Sequence, residues 1–356
     1  MRIESSVTAV SWVPLDCVEG GQRLRFHVGA AQYDDPPPDH LDDLASLLAG
    51  GRVRLANQLV GFVEIDGGRI VASGQSGQGH LGAPREAADA TQIGFAAVAL
   101  PDLHPDPEVG DGWVRFTQTA GGLLSVGLVT GAGPLAASAV WTTLSLTIHA
   151  DGISTQALAG ASPFPRHWVY DHTGRLVFTS GVVDFTAWQA DAWDPFTPWG
   201  GRDAPVRATA VETALERELS RVMLDAAPLW LRLRTGAVLV AQGDPGHELY
   251  LLFDGVLAVE IDGVTVAELG PGAVVGEVAL LHGGRRTATL RAVTPCRVAA
   301  VAGDRIDHAA LAELARTRGW PGPDPPDPPD PPGDHPGGPP DPPDPPADQP
   351  GGGGPA

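Results

Sequence analysis

The sequence predicts a mainly β protein. Residues 1–205 read as an antiparallel sandwich or barrel, residues 206–319 as a leading helix and a compact jelly roll with flanking helices, and residues 320–356 as a tail without a fold. Three observations carry this. Apolar and polar residues alternate over Val140–His149, with Leu144, Leu146 and Ile148 on one face and Thr143, Ser145, Thr147 and His149 on the other. From about Gly236, short apolar runs return with glycines standing between them, where a small roll must turn its corners. From Pro321 the chain repeats Asp-Pro-Pro and ends in glycines, a composition that cannot bury a core.

Each element follows in order. A short helix is expected at Asp39–Leu48, just after three prolines. Leu59–Ser73 holds Ile65-Asp66-Gly67-Gly68-Arg69-Ile70, a strand–turn–strand signal, because glycine supplies the positive φ of a tight hairpin. Gly74–Gly82 is glycine-rich but lacks the Gly-Lys-Ser/Thr ending of a phosphate loop, and it reads as a flexible turn. Trp113–Thr119 reads as a strand, and His167–Ser180 as a second hairpin around Asp171-His172-Thr173-Gly174. Ser162–Tyr170 and Trp188–Trp199 are dense in aromatics and prolines. They suit a binding groove or, the reading preferred, a seam between domains.

A helix is expected at Thr209–Leu224. Thr209-Ala210-Val211-Glu212 has the form of a capping box, and Val211, Leu215, Leu219, Val222 and Met223 make one apolar stripe. Gly236–Asp244, Glu248–Leu257 and the hairpin at Ile261-Asp262-Gly263-Val264 supply the strands of the roll. After a last strand at Arg297–Val301, Asp304–Arg318 reads as a helix docked by Ile306, Leu311 and Leu314.

The 356 residues suffice for two cored domains. With 23 basic and 43 acidic side chains the net charge is −20, a field that repels nucleic acid backbones and anionic membranes. Every basic residue is Arg, which suggests a GC-rich bacterial genome. Cys17 and Cys296 make no disulfide framework or zinc spacing, and His27, His104, His149 and His172 are scattered. The first residues lack a signal-peptide pattern and no apolar run reaches transmembrane length, so a soluble cytoplasmic protein is expected.

The chemistry concentrates in Val275-Gly276-Glu277-Val278-Ala279-Leu280-Leu281, followed by Arg285-Arg286-Thr287-Ala288-Thr289-Leu290. A glycine that lets backbone approach a ligand, amides opening a short helix and an arginine together suit a phosphate. With the Gln-Gly-Asp and Leu-Tyr-Leu-Leu segments upstream, this stretch resembles the phosphate-binding cassette of the cyclic nucleotide-binding domain superfamily.

The resemblance implies a site made of Gly276, Glu277, Val278, Ala279, Arg286, Thr287 and Ala288. Arg286 would pair with the cyclic phosphate and Glu277 would accept from the ribose 2′-hydroxyl. Thr287 would bond the phosphate or a guanine amino group, Ala288 would keep the pocket open, and Arg285 reads as a solvated neighbour. The ligand is cAMP or cGMP, and the role is regulatory, with a protein partner or a second copy as candidate associates. The helix that commonly closes over the base in this superfamily is not visible. The base is left to Trp320, to the N-terminal domain, to another subunit, or to solvent. No helix-turn-helix follows the roll, so DNA binding is not expected. Two rivals stand beside this reading. One is a nucleotide-blind roll serving as a docking scaffold. The other is an enzyme with its active site in residues 1–205, although no catalytic signature is visible there.

Overall fold

The computed structural model describes residues 1–12, 18–19, 23–24, 37–50, 53–82, 85–86, 91–97, 106–128, 136–180, 207–281 and 283–318. The readings made for the tail, Trp188–Trp199, Trp320, Cys17, His27 and His104 lie outside these residues.

Among the described residues, fourteen strands precede the roll: β1 (Arg2–Trp12), β2 (Val18–Glu19), β3 (Arg23–Leu24), β4 (Val53–Asp66), β5 (Arg69–Leu81), β6 (Arg85–Glu86), β7 (Thr91–Ala97), β8 (Glu108–Gly110), β9 (Trp113–Leu128), β10 (Ala136–His149), β11 (Ser154–Ala161), β12 (Arg166–Tyr170), β13 (Leu176–Ser180) and β14 (Ala208–Thr209). One antiparallel sheet runs β14-β13-β12-β1-β4-β5 and a second runs β11-β10-β9-β7-β6. Their inner faces meet in one core, with Val7, Leu59 and Val63 from the first sheet and Phe116, Leu144, Leu146 and Ile148 from the second. Two open sheets face to face make a sandwich, and among the described residues no barrel closes.

The alternation over Val140–His149 sets the inward face as expected, since Leu144, Leu146 and Ile148 are fully buried. The opposite face is less exposed than alternation implies: Thr143 is buried and shares a 2.9 Å hydrogen bond with Thr119. The helix near residue 40 is short, α1 (Leu44–Ala49), and starts where Asp43 caps the Ala45 amide.

Gly74–Gly82 is not a flexible turn. Residues 74–81 lie in β5, paired along β4 from Leu55 to Phe62. The glycines mark close approach rather than mobility. A Cβ on Gly77 would sit 1.8 Å from Gln118 Oε1, and Gln118 in turn donates to buried Asn57 across the sheets at 2.7 Å.

A histidine lies deep in this sandwich. His167 is fully buried on β12. Its Nε2 lies 2.9 Å from the Ser162 carbonyl, which can only accept, so the neutral ring donates there and its Nδ1 accepts from Ser11 Oγ at 2.9 Å. Burial pushes its pKa down from 6.5 to about 4. The unfolded chain therefore binds the extra proton between those values, and stability falls as pH drops through that window. Unfolding free energy is expected to be about 2 kcal/mol lower at pH 5 than at pH 7.5 from this group alone. Urea melts at the two pH values test this, and His167→Gln should flatten the difference.

The roll follows with α2 (Ala214–Asp225), β15 (Leu229–Leu233), β16 (Val238–Val240), β17 (Glu248–Asp254), β18 (Leu257–Ile261), β19 (Val264–Leu269), β20 (Val274–Val275), α3 (Glu277–Leu281), β21 (Thr289–Ala292), β22 (Cys296–Ala302) and α4 (His308–Thr317). Sheets β15-β22-β17-β20 and β16-β21-β18-β19 enclose a core that includes Leu252, Leu257 and Val298. Helices α2 and α4 pack outside the first sheet through Leu219, Met223, Leu311 and Leu314. No described helix is long and apolar enough to cross a membrane.

The start of α2 corrects the expected boundary. Thr-x-x-Glu occurs twice, four residues apart, and the second copy caps the helix. Thr213 Oγ1 accepts from the Glu216 amide and Glu216 Oε2 accepts from the Thr213 amide. Thr209 is instead paired with Thr179 in the N-terminal sheet, and Glu212 is bound to Arg166. A strand position and a buried ion pair outcompete the first capping box.

Candidate functional site

The roll holds a cavity of about 440 Å³, within the range of small-ligand sites. All seven residues expected from the cassette line it: Gly276, Glu277, Val278, Ala279, Arg286, Thr287 and Ala288. They arrive from two directions. Strand β20 ends at Val275, Gly276 turns with φ of 100°, and α3 begins at Glu277. Arg286 comes from the loop before β21, pinned by its amide to the Asp244 carbonyl and by its own carbonyl to the Gly243 amide, both at 2.8 Å.

Arg286 is 4% exposed. Its Nη1 donates to the Glu248 carbonyl at 3.0 Å and its Nη2 to Glu248 Oε2 at 3.1 Å, over the face of Tyr250. Its Nε is buried without a hydrogen-bond partner. Glu248 already supplies a counter-charge, but a buried donor left unused on a cavity wall carries a cost that a ligand acceptor would relieve. Two glycines make room for it. A Cβ on Gly246 would lie 2.0 Å from Arg286 Nε, and one on Gly276 would lie 2.7 Å from Nη1. Arg285 is exposed and donates to the Gly243 carbonyl, in keeping with a neighbour outside the site.

Glu277 is buried beside an arginine that sequence reasoning missed. Arg318, which caps the end of α4, donates to Glu277 Oε1 at 3.1 Å and also pairs with Glu216 on α2. One guanidinium thus joins the cassette, α2 and α4. Nothing in the sequence around Arg318 points to this, because its two partners lie 41 and 102 residues away.

The remaining wall is apolar, with Val259, Ile261, Val266, Ala267 and Leu269 from β18 and β19. It suits a flat, weakly polar group such as a purine. Residues Ala210–Thr213, ahead of α2, also line the cavity, with Glu216 and Arg318 beside them. The cavity therefore offers a cation and a small hydroxylated residue at one end, a held carboxylate beside them, and an apolar slot.

Residues 230–312 match the family model of the cyclic nucleotide-binding domain. The cGMP-dependent protein kinase egl-4 of Caenorhabditis briggsae is 36% identical over 64 residues, 18% of this chain and 8% of the kinase. The cAMP-dependent protein kinase regulatory subunit of Yarrowia lipolytica is 39% identical over 62 residues, 17% of this chain and 16% of the subunit. The potassium/sodium hyperpolarization-activated cyclic nucleotide-gated channel 3 of Homo sapiens is 36% identical over 83 residues, 23% of this chain and 11% of the channel. The chain thus spans only a small part of each relative. Among solved structures, the regulatory domain of Toxoplasma gondii PKA with cAMP is 28% identical. It covers 29% of this chain and 46% of that one, with a TM-score of 0.24. A cyclic nucleotide-binding-like protein from Brucella abortus is 26% identical, covering 27% and 84%, with a TM-score of 0.22.

Proposed function

We propose that this chain is a regulatory protein that binds one cyclic nucleotide, cAMP or cGMP, in the C-terminal roll and passes the event to its N-terminal sandwich. The observation that carries this is the buried Arg286 guanidinium, with its unpartnered Nε, on the wall of a cavity that also presents Glu277 and Thr287. Arg286 takes the cyclic phosphate, and its donors shift from Glu248 towards the phosphate oxygens. Glu248 is half exposed, so water receives the released carboxylate. Glu277 accepts from the ribose 2′-hydroxyl while Arg318 keeps that carboxylate oriented. The base lies along β18 and β19.

The same arginine gives a route outward. A ligand that draws on Glu277 changes the field at Arg318, which is shared with Glu216 on α2. Coupling of this kind requires that the ligand prefer one arrangement of α2 and α4 over another.

Titration calorimetry with cAMP and with cGMP tests the reading. Saturable binding at one site is expected. Glu277→Gln should weaken it by about tenfold, since a neutral acceptor replaces a charged one. No heat and no thermal stabilisation by either nucleotide overturns the proposal. That outcome would favour a nucleotide-blind scaffold, a second reading supported by the way Glu248 and Arg318 already occupy the two charged groups of the cassette.

A further inference from the structure

We infer that the four-residue bridge Ala210–Thr213 is the cover of the nucleotide base, and that the N-terminal sandwich holds this cover in place. The inference rests on the nucleotide-binding reading above and adds to it the element that closes the site.

The bridge lines the cavity with all four of its residues. Both of its ends are fixed. Thr209 before it is paired with Thr179 as part of the N-terminal sheet, and Thr213 at its far end is locked in the capping box of α2. Three residues between a strand and a helix cap leave the backbone little freedom.

Two side chains bolt its middle to the sandwich. Val211 both lines the cavity and packs against a core cluster of Val10, Trp12, Ala56, Trp168 and Tyr170. Glu212 forms a two-point ion pair with Arg166 of β12 at 2.8 and 3.2 Å, and both side chains are almost wholly buried. Arg166 also donates to the Pro271 carbonyl at 3.2 Å, so the same guanidinium touches the sandwich, the bridge and the roll.

On the roll's side, glycines face the side chains of Thr209 and Glu212. A Cβ on Gly270 would lie 2.0 Å from Thr209 Oγ1, and one on Gly272 would lie 2.9 Å from Glu212. These glycines follow Leu269, at the end of the apolar wall assigned to the base. The bridge therefore borders the slot beside Leu269 and Gly270. Val211 is shared between this slot and the sandwich core, so moving it disturbs both.

Two measurements on the full chain test this. In the first, amide hydrogen exchange is followed with and without saturating cAMP or cGMP. Exchange over residues 209–214 should slow when the nucleotide is bound. In the second, Val211→Ala removes two methyl groups of the cover and keeps the ion pair. Displacement kinetics with a fluorescent cyclic nucleotide should then show dissociation about tenfold faster than for the parent. Thermal melts confirm that the variant is folded. Unaltered exchange over 209–214, or a Val211→Ala dissociation rate equal to that of the parent, overturns the cover and leaves nucleotide binding standing. Absence of saturable binding to the parent chain overturns the reading on which the cover rests, and the cover with it.

Discussion

Arg286→Ala is expected to weaken cyclic nucleotide binding by about a hundredfold or more while the roll stays folded. A charge-assisted bond to an anion is worth about 1.5–3 kcal/mol, and a guanidinium can offer two at once. Losing about 3 kcal/mol is a factor of more than a hundred in Kd. The fold should survive because the partner left behind is not stranded. The Glu248 side chain is 51% exposed and can be hydrated. What remains unpaired is mainly the Glu248 carbonyl, a cost of about 1–3 kcal/mol. Calorimetry reads the affinity and a thermal melt reads the fold. A folded variant that binds within about threefold of the parent sinks the assignment of Arg286. Arg286→Lys should fall between the two, because an ammonium keeps the charge but not the fork geometry.

The largest effect on stability is expected at Arg166. Its side chain is 0% exposed and that of Glu212 is 1% exposed. Arg166→Met keeps packing against Trp168, which the guanidinium now covers at 4.2 Å, but it leaves Glu212 buried without a counter-charge. Breaking such a pair costs about 3–5 kcal/mol, whereas replacing both partners by apolar groups is often neutral. Urea unfolding should therefore show a loss of about 3–5 kcal/mol for Arg166→Met, and the double change Arg166→Met with Glu212→Leu should recover most of it. If the single variant is as stable as the parent, or the double no better than the single, the pair is not what fixes the bridge to the sandwich. The same single variant should also speed nucleotide release, since it loosens the wall formed by Ala210–Thr213.

Much of the fold was legible. The inward face of Val140–His149, the hairpin turns at Gly67-Gly68 and Asp262-Gly263, and the docking residues of α4 follow from period-two alternation, positive φ and an apolar stripe. The cavity wall formed by Gly276–Ala279 and Arg286–Ala288 was also within reach. The resemblance to the cassette puts those residues in one site, and both stretches line the cavity. The misreadings have a common cause. Gly74–Gly82 looks like a loop until Gln118 is seen to occupy the space a side chain at residue 77 would need. Thr209–Glu212 looks like a helix start until a sheet and a buried arginine claim its residues.

The sequence by itself determined the β class, the turns, the two flanking helices of the roll and the order of cassette residues. These depend on local periodicity and backbone freedom, which act over a few residues. Only the tertiary structure decided that Arg166 meets Glu212, that Arg318 meets Glu216 and Glu277, and that Val211 is shared between a core and a cavity. Those pairings span 46, 102 and 41 residues for the three ion pairs. Charge and apolar surface carry no address along the chain. Their partners are chosen by sheet register and by the crossing of the bridge from the sandwich to the roll, and both are fixed only once the whole core has closed.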